Sequence, residues 1–217
     1  MKNKFRIVLN VDNVGYEYND EAIQTIKIPK SLGSDIAHPS FGLVSQTSTI
    51  VLIDKDKTIF NILNANSTKI LNIEVYLNDN LIAYYLSDSI SYSSSQSILT
   101  LSLKDDLIKL SQAETPIYAL GGMSKVLNDD GSETITSTEK SPLSNLVDAL
   151  FLDTKAIIGE KYYMEMDDFT RNAINGIYLN YGYLKRDTYW ANWNKICHIG
   201  LLKIYLDGRK FVIRRVI

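Results

Sequence analysis

Hydrophobic and polar residues alternate with a period of two along much of segment 43–106, and this pattern predicts β-strands. In 71–77 every second residue is apolar, as expected for a strand with one buried face. The turn-forming sequence Asn-Asp-Asn at 78–80 interrupts the alternation. The alternation resumes on a return strand whose apolar positions are Ile82, Tyr84 and Leu86.

A serine-rich stretch at 87–97 is interpreted as a link to a third alternating run, which carries Leu99, Leu101 and Leu103. That run leads through a Lys-Asp-Asp step into a short helix-like segment at 107–110. Segment 43–106 is therefore predicted to form a meander of strands. Its core positions hold no catalytic group, which points to assembly and away from an enzyme.

Weaker strand signals, separated by turns, occupy the rest of the first half. Residues 4–11 predict a strand, and a second apolar run at 23–28 ends at a proline. Residues 30–42 have the glycines and prolines of a loop. Turn signals cluster again at 113–140, where Asn-Asp-Asp-Gly predicts the tip of an exposed hairpin.

The apolar period becomes that of a helix after residue 140. Ser141 is predicted to cap a helix whose first residue is Pro142. The apolar stripe of this helix falls at i, i+3, i+4, i+7 and i+8. It comprises Leu143, Leu146, Val147, Leu150 and Phe151.

A second helix is predicted to follow the capping pair Asp187-Thr188 and to end at a C-terminal cap, Gly200. Its apolar face is expected to carry Tyr189, Trp190, Trp193, Ile196 and Cys197. Two apolar runs then flank Asp207-Gly208, which predicts a hairpin with a type I′ turn.

These elements predict an α+β fold that is mainly β. The predicted domains are an N-terminal β-rich domain at 1–112 and an α+β domain at 141–217, joined by a connecting excursion with an exposed hairpin at 113–140. A chain of 217 residues is long enough for one large or two small domains.

Composition and charge narrow the function classes. A net charge of −2 provides no general attraction to nucleic acid or anionic membranes. No apolar run approaches the roughly 20 residues that cross a bilayer, and the run at 7–9 is too short for a signal peptide. The chain is therefore expected to be made in the cytosol and used without cleavage. Its 14 tyrosines suit partly exposed sheets or interfaces, because tyrosine buries area while keeping a polar end.

Cysteine and histidine are too rare for several kinds of site. Cys197 is the single cysteine, so no internal disulfide forms, and with His38 and His198 it cannot supply four zinc ligands without carboxylates. Cys197 and His198 are neighbours on a predicted helix and do not face each other as a nucleophilic pair must. Cys197 is expected to be a buried thiol, and His38 an exposed residue or a turn donor.

Three acidic segments are candidates for metal or acid/base sites, and each is expected to have a structural role instead. The sequence Asp-x-Asp-x-Thr at 54–58 resembles the start of a calcium loop, but Ile59 and Ala65 stand where that loop needs glycine and an acid, so a polar turn is expected. The adjacent acids at 105–106 and 167–168 suit the first turn of a helix rather than an acid/base pair held across a cleft.

The remaining candidates are also interpreted as structural. Gly121-Gly122 lacks the setting of a phosphate loop. Trp190 and Trp193 have core spacing, with a sugar-binding pair as the alternative. A basic cluster near the C-terminus is expected to be a solvated face or a salt-bridged subunit contact, with a nucleic-acid patch as the alternative. The cluster comprises Lys185, Arg186, Lys195, Lys203, Arg209, Lys210, Arg214 and Arg215.

Several of these segments resemble phage tail hub proteins. Residues 48–54 resemble a strand followed by Asp near the start of such hubs, and 74–85 resemble a hairpin with an aromatic exit. Residues 100–107 resemble a hub strand that ends in a Lys-Asp step and enters a helix. In the second half, the segment 182–184, the helix with the two tryptophans and the hairpin at Asp-Gly are similar to the second hub domain.

The resemblance implies a baseplate hub or tail-tip protein built of two small barrel-like or sheet domains with a few helices. Such proteins form a homo-oligomeric ring, with a trimer favoured and a hexamer possible. The ring continues the tail tube, contacts the tube and other baseplate proteins, and lets DNA pass. The resemblance thus implies a virion protein made in the host cytoplasm, not an enzyme, with no catalytic, cofactor or metal residues and no sequence-specific nucleic-acid site.

Two alternatives remain at the level of sequence. One is a carbohydrate-binding or adhesin β module, which needs the two tryptophans exposed in a shallow groove. The other is a hydrolase, which needs two carboxylates facing each other in a cleft. In the hub interpretation the basic last hairpin is expected to face a subunit or the outside, because a lumen that passes DNA should not hold it through arginines.

Overall fold

The computed structural model describes residues 4–11, 14–28, 42–65, 72–116, 118–119, 123–137, 141–179, 183–184 and 186–216. Strands β1 to β8 are Phe5–Val11, Val14–Asn19, Ile23–Lys27, Gly42–Leu43, Thr47–Ile53, Asn72–Leu77, Asn80–Ser93 and Ile98–Lys104. Strands β9 to β17 are Tyr118–Ala119, Met123–Leu127, Glu133–Ser137, Ser141–Pro142, Tyr163–Met166, Tyr178–Leu179, Tyr183–Leu184, Leu202–Asp207 and Lys210–Arg215. Helices α1 to α4 are Thr58–Ala65, Leu143–Ile158, Asp168–Asn175 and Tyr189–Gly200, and a 3₁₀-helix covers Asp106–Ser111. The predicted mainly β, α+β class is confirmed.

The described chain forms two compact units. The first unit contains β1 to β3, β5 to β8 and α1, together with the turn Leu206–Arg209. The second unit contains β4, the segment from Lys109 to Tyr205 and all of β17. Each unit therefore takes up pieces of chain that are far apart in sequence.

The first unit is a seven-stranded sheet with the order β2-β1-β6-β7-β8-β5-β3. The predicted meander is correct for β6, β7 and β8, which pair consecutively and antiparallel. It is wrong for β5, which pairs with β8 and not with β6. After β5 the chain passes through α1 to β6, which lies two strands away from β8, the neighbour of β5. The four strands in the order β6-β7-β8-β5 form a Greek key.

The sheet must curl into a barrel-like shape because its two edge strands are consecutive in sequence. Seven flat strands about 4.8 Å apart would separate the edges by about 29 Å. Residues 20–22, which join β2 to β3, can span only about 15 Å between the flanking Cα atoms. Hydrogen bonds hold this turn against both walls, from Phe5 N to Asp20 Oδ1 at 2.7 Å and from Ile53 N to Ala22 O at 2.8 Å.

A β-bulge reverses the face of β7 that sequence periodicity predicted. Val75 pairs with Ala83 and the next residue, Tyr76, pairs with Leu81, so Ile82 is an extra residue on β7. Because one inserted residue exchanges the two faces of a strand, Ala83 and Tyr85 are buried, at 8% and 2% exposure. Of the predicted apolar positions 82, 84 and 86, Ile82 packs against the core while only partly buried, and the prediction is wrong for Tyr84 and Leu86.

The serine-rich stretch is mostly strand. β7 continues through it to Ser93, and the link to β8 is only the turn at 94–97. Ile90 and Tyr92 in this stretch pack against the core, while Ser89 and Ser91 are exposed. A second bulge leaves Asp88 unpaired in the ladder, and its carboxylate forms an ion pair with Lys104 at 2.7 Å.

Helix α1, which periodicity did not predict, covers the sheet with Ile59 fully buried and Ile62 partly buried against the same core. The core of this unit comprises Ile7, Leu9, Val11, Ile50, Leu52, Ile59, Ile73, Val75, Ala83, Tyr85, Leu99, Leu101 and Leu103.

The second unit centres on a four-stranded sheet with the order β13-β17-β16-β4. β13 runs parallel to β17, and β4 runs parallel to β16. The rings of Phe151 on α2 and Trp193 on α4 lie 5.2 and 5.3 Å from the ring of Phe211 on β17. All three rings are buried, so both predicted helices pack their apolar stripes near this strand.

The predicted stripe of α2 is buried throughout, but its cap differs by one residue. Ser141 and Pro142 pair with β14 as a short strand, and Leu143 N donates to Ile177 O at 2.8 Å. Pro142 is consequently the N-cap residue, not the first helical residue, and no side chain caps this helix. Helix α3 and the strands β13 to β15 were not predicted, because 161–183 has no clear apolar period.

Gly200 was predicted to be the C-terminal cap of α4, and this is wrong by one residue. Gly200 is the last helical residue. Leu201 takes the left-handed conformation instead, with φ 53° and ψ 48°. A Cβ on Gly200 would lie 2.8 Å from Leu202 Cγ and 3.2 Å from Leu143 Cδ2. Close packing of side chains against the helix end therefore accounts for glycine here.

The type I′ turn occurs in a different hairpin from the predicted one. Asn78 and Asp79, between β6 and β7, both have positive φ, at 49° and 63°. At the last hairpin the central residues are Gly208 and Arg209, and of these only Gly208 has a positive φ, at 57°. A glycine at the first central position is the pattern of a type II′ turn. The predicted tip at 128–131 does connect β10 to β11.

Candidate interaction surfaces

Asp54 stabilises the fold of the first unit. Its side chain is only 3% exposed and accepts hydrogen bonds from Phe60 N at 3.1 Å and Tyr18 Oη at 3.3 Å. It thereby holds the first turn of α1 and tethers β2. A turn at 55–56 follows β5, as predicted. Within the described residues, no group of three or more His, Cys, Asp or Glu side chains could hold a metal ion.

Asp105 is a buried carboxylate at the start of the 3₁₀-helix. Its oxygens accept hydrogen bonds from Ser45 Oγ and Gln46 N, both at 2.7 Å, and from Leu107 N at 3.2 Å. Burial raises the pKa of this carboxyl to about 6, against the opposing effect of the three donors. Asp106 is 1% exposed, so these two acids do not line a cleft.

The other acidic candidates are helix caps. Asp167 Oδ1 accepts from Thr170 N at 2.7 Å and caps α3. Hydrogen bonds from the Thr170 side chain and from its N–H hold the pKa of Asp167 below its usual value. Thr188 Oγ1 accepts from Ala191 N at 3.1 Å and caps α4, as predicted. Asp187 forms an ion pair with Lys195 at 2.9 Å. These side chains therefore stabilise the starts of α3 and α4.

Cys197 and His198 lie on different faces of α4, as predicted. Cys197 is completely buried, and burial raises the pKa of its thiol to about 12. His198 is exposed. A thiol with so high a pKa is protonated at neutral pH and is a poor nucleophile.

The two tryptophans do not form a sugar-binding pair. Trp193 is completely buried, and its indole nitrogen donates to Thr154 Oγ1 at 2.7 Å. Trp190 is half-buried. A shallow aromatic groove needs both rings at the surface, so the observation that favoured a carbohydrate module is removed.

Intrachain acids neutralise much of the basic cluster. Glu165 on β13 binds Lys210 Nζ at 2.6 Å and Arg214 at 2.5 Å. Arg186 pairs with Glu114 at 2.8 Å. These pairs lie within one chain, and the predicted salt-bridged subunit contact stays a prediction. His38, Gly121, Gly122 and Lys185 lie outside the described residues.

Exposed apolar side chains, which the sequence interpretation missed, concentrate in the second unit. Leu152 on α2 is 69% exposed, and Phe169 on α3 is 62% exposed. Further large apolar side chains that are about half exposed are Tyr163, Tyr178 and Ile199. The sequence could have revealed Leu152, because this residue falls outside the apolar stripe of α2. Exposed aromatic side chains such as Phe169 and Tyr178 are of the kind that is enriched where proteins dock.

The two edges of the seven-stranded sheet differ. β3 has a bulge between Ile23 and Thr25 and carries Lys27, which are devices that discourage edge pairing. β2 pairs with β1 over six residues in unbroken register and has neither device. In the described part of the chain, no helix has the length and apolar character needed to cross a membrane.

No protein-family model matches the sequence, and no curated protein matches it significantly. The fold is similar to a tail protein from Neisseria meningitidis MC58, with 12% identity, 96% of this chain and 50% of that chain covered, and a TM-score of 0.54. It is also similar to the 43 kDa tail protein of prophage MuSo2 from Shewanella oneidensis, with 12% identity, 97% and 55% coverage, and a TM-score of 0.52. A chain of the Francisella PdpA-VgrG complex aligns with 11% identity, 98% and 28% coverage, and a TM-score of 0.48.

This chain spans about half the length of the two tail proteins. At this identity the likeness shows a shared fold, and it confirms the predicted resemblance to tail proteins at that level. Both units take part in it, because the alignments cover nearly all of the chain.

Proposed function

We propose that this chain is a structural subunit of a bacteriophage tail that forms a homo-oligomeric ring at the baseplate hub or tail tip. The ring continues the tail tube and docks neighbouring tail proteins, and the subunits are made in the host cytoplasm before they enter the virion. The observation that carries the proposal is the similarity of fold to two phage tail proteins over 96% and 97% of this chain. A shared barrel alone would cover only one of the two units.

The surface chemistry supports a role in assembly. Exposed apolar side chains such as Leu152 and Phe169 lose contact with water when a subunit docks. Closure of a ring also removes unpaired sheet edges, with a trimer favoured and a hexamer possible. Pairing of Lys210 and Arg214 with Glu165 reduces the attraction of the last hairpin for DNA that passes through a lumen.

A structural role also fits the chemistry of the candidate residues better than an enzymatic one. Asp54, Asp105 and Asp167 are occupied as hydrogen-bond acceptors for backbone N–H groups. The carbohydrate-binding alternative has lost its aromatic pair, because Trp193 is in the core.

The proposal is tested by measuring the mass of the purified chain alone and mixed with the tail-tube protein of the same phage. Light scattering coupled to size-exclusion chromatography is expected to show a discrete complex with three or six copies of this chain. A ring in negative-stain images would support it further. A chain that stays monomeric with the tube protein present, at concentrations near 0.1 mM, would contradict the proposal; albumin in place of the tube protein is the control.

A further inference from the structure

Strand β2 presents an unpaired edge with a defined set of outward backbone groups. Among the described strands, β2 pairs only with β1. Val11 and Val14 close a two-residue hairpin connection and are therefore a hydrogen-bonded pair. The alternation of an antiparallel ladder then directs the N–H and C=O groups of Gly15 and Glu17 away from β1.

A groove runs beside this edge within the first unit. It is an open cavity of about 510 Å³, and its lining includes the half-buried rings of Tyr16 and Tyr18. Ala22, Ile53 and Thr58 line it as well. A free strand edge beside an aromatic groove is the arrangement into which an extended peptide adds as a further strand.

The charge of the groove selects the kind of peptide. Four acids line it, Glu17, Glu21, Asp54 and Asp56, against the single cation Lys55. Glu17 is already paired with Arg6 at 3.2 Å and Asp54 is buried, whereas Glu21 and Asp56 are exposed. The pKa of Tyr18 is raised by burial and further by Asp54 and Asp56, which is the effect of a negative local potential.

We propose that the edge of β2 binds an extended, lysine- or arginine-rich segment of a partner protein by strand addition. The partner backbone exchanges hydrogen bonds with Gly15 and Glu17, and its cationic side chains lie against Glu21 and Asp56. This interaction does not require the ring, so it holds or fails independently of the proposed tail function.

The probe is a fluorescent seven-residue peptide in which lysine alternates with valine, with a glutamate-valine peptide of the same length as the charge control. Fluorescence anisotropy is expected to show binding of the lysine peptide that weakens at least tenfold between 50 and 500 mM salt. In amide NMR spectra the largest shifts are expected at Gly15 and Glu17. Binding of both peptides with equal affinity, or of neither at 1 mM, would overturn the proposal.

Two matched variants separate backbone pairing from charge. Glu17→Pro removes an outward N–H group without removing a bond to β1, whereas Glu17→Gln removes the same charge and keeps the N–H. The proline variant is expected to lose at least tenfold more affinity than the glutamine variant, provided that thermal unfolding shows both folded. Equal affinity of these two folded variants would contradict strand addition.

The double variant Glu21→Lys, Asp56→Lys tests the selection of a basic partner. It is expected to weaken binding of the lysine peptide at least tenfold and to favour the glutamate peptide. The competing occupant of the edge is a second copy of this chain. Self-association that Glu17→Pro abolishes and that salt leaves unchanged would assign the edge to that second copy and overturn the proposal.

Discussion

Several acidic residues in this protein resemble metal or acid/base sites in the sequence, whereas in the structure they stabilise the local fold. Asp54, Asp105 and Asp167 each accept a hydrogen bond from a backbone N–H in the first turn of a helix. Those N–H groups have no partner inside the helix, so a nearby carboxylate stabilises them. The sequence allowed this interpretation for 105–106 and 167–168, because an acid before an apolar run is typical of a helix start. It did not reveal that Asp54 also binds Tyr18, which is far away in sequence.

Asp105 is predicted to make stability depend on pH in an unusual direction. Its pKa is raised to about 6 in the folded protein and lies near 3.8 when exposed. The folded state therefore binds the proton of the Asp105 carboxyl more tightly than the unfolded state does. The stability that this proton contributes is fully present below pH 3.8 and is lost as the pH rises to about 6. Two pKa units correspond to about 3 kcal/mol.

The measurement is chemical unfolding of the wild type and of Asp105→Asn at several values between pH 4 and 7. The free energy of unfolding of the wild type, relative to that of the variant, is expected to fall by up to about 3 kcal/mol over this range. Asp148→Asn, at a half-exposed carboxylate, is the matched control for the removal of one carboxylate charge. A difference that is constant with pH would contradict a raised pKa at Asp105.

At the scale of strands, β-bulges determine which side chains face the core, and periodicity alone does not predict this. The alternation in β6 and β8 correctly predicted buried Ile73, Val75, Leu99 and Leu101. The face of β7 was wrong because Ile82 is inserted opposite the partner strand. Such an insertion leaves little trace in a pattern of apolar residues, since valine, isoleucine, leucine and tyrosine suit both faces of a strand.

Asp79→Gly is predicted to stabilise the protein by up to about 1 kcal/mol, because Asp79 has a left-handed φ of 63° in a type I′ turn. Its ion contact with Arg6 is 3.9 Å long and its side chain is 93% exposed, so losing this contact costs little. Urea unfolding measures the change. The matched control is Asn80→Gly at the extended start of β7, which should destabilise by about 0.5–1 kcal/mol. A loss of stability in Asp79→Gly as large as in the control would contradict the turn assignment.

The whole molecule is assembled from segments that are distant in sequence. β4 pairs with β16, and β9 pairs with β15, each across a large separation in the chain. Within the first unit, Gly208 N donates to Ile82 O at 3.1 Å, and Arg209 Nε donates to Tyr84 Oη at 3.0 Å. Neither unit is therefore complete without pieces from both halves of the sequence.

A cut at the hairpin tip 128–131 is predicted to leave the two fragments bound to each other. Asp129, Asp130 and Gly131 are exposed, and this tip links only β10 to β11. Because the N-terminal fragment supplies β4 to β16 and β9 to β15 of the C-terminal fragment, the pieces should elute together under native conditions and separate in denaturant. Brief digestion with an Asp-specific protease, followed by both kinds of chromatography and mass spectrometry, provides the measurement. Fragments that separate without denaturant would contradict this arrangement.

The sequence by itself determined the local elements. Alternation identified the strands around β1, β6 and β8, and the 3.6-residue period identified the buried faces of α2 and α4. These patterns succeed because they record how neighbouring side chains divide between core and water, which depends on the backbone period alone. The mainly β class followed from them.

The tertiary structure alone decided how those elements meet. It placed β5 beside β8, curled the sheet so that the 20–22 turn joins its edges, and left the outer edge of β2 without a partner among the described strands. It also required glycine at residue 200, where side chains from two other elements close on the helix end. The physical reason is that register, bulges and edge exposure depend on pairs of segments far apart in the chain, whereas periodicity describes only one segment at a time.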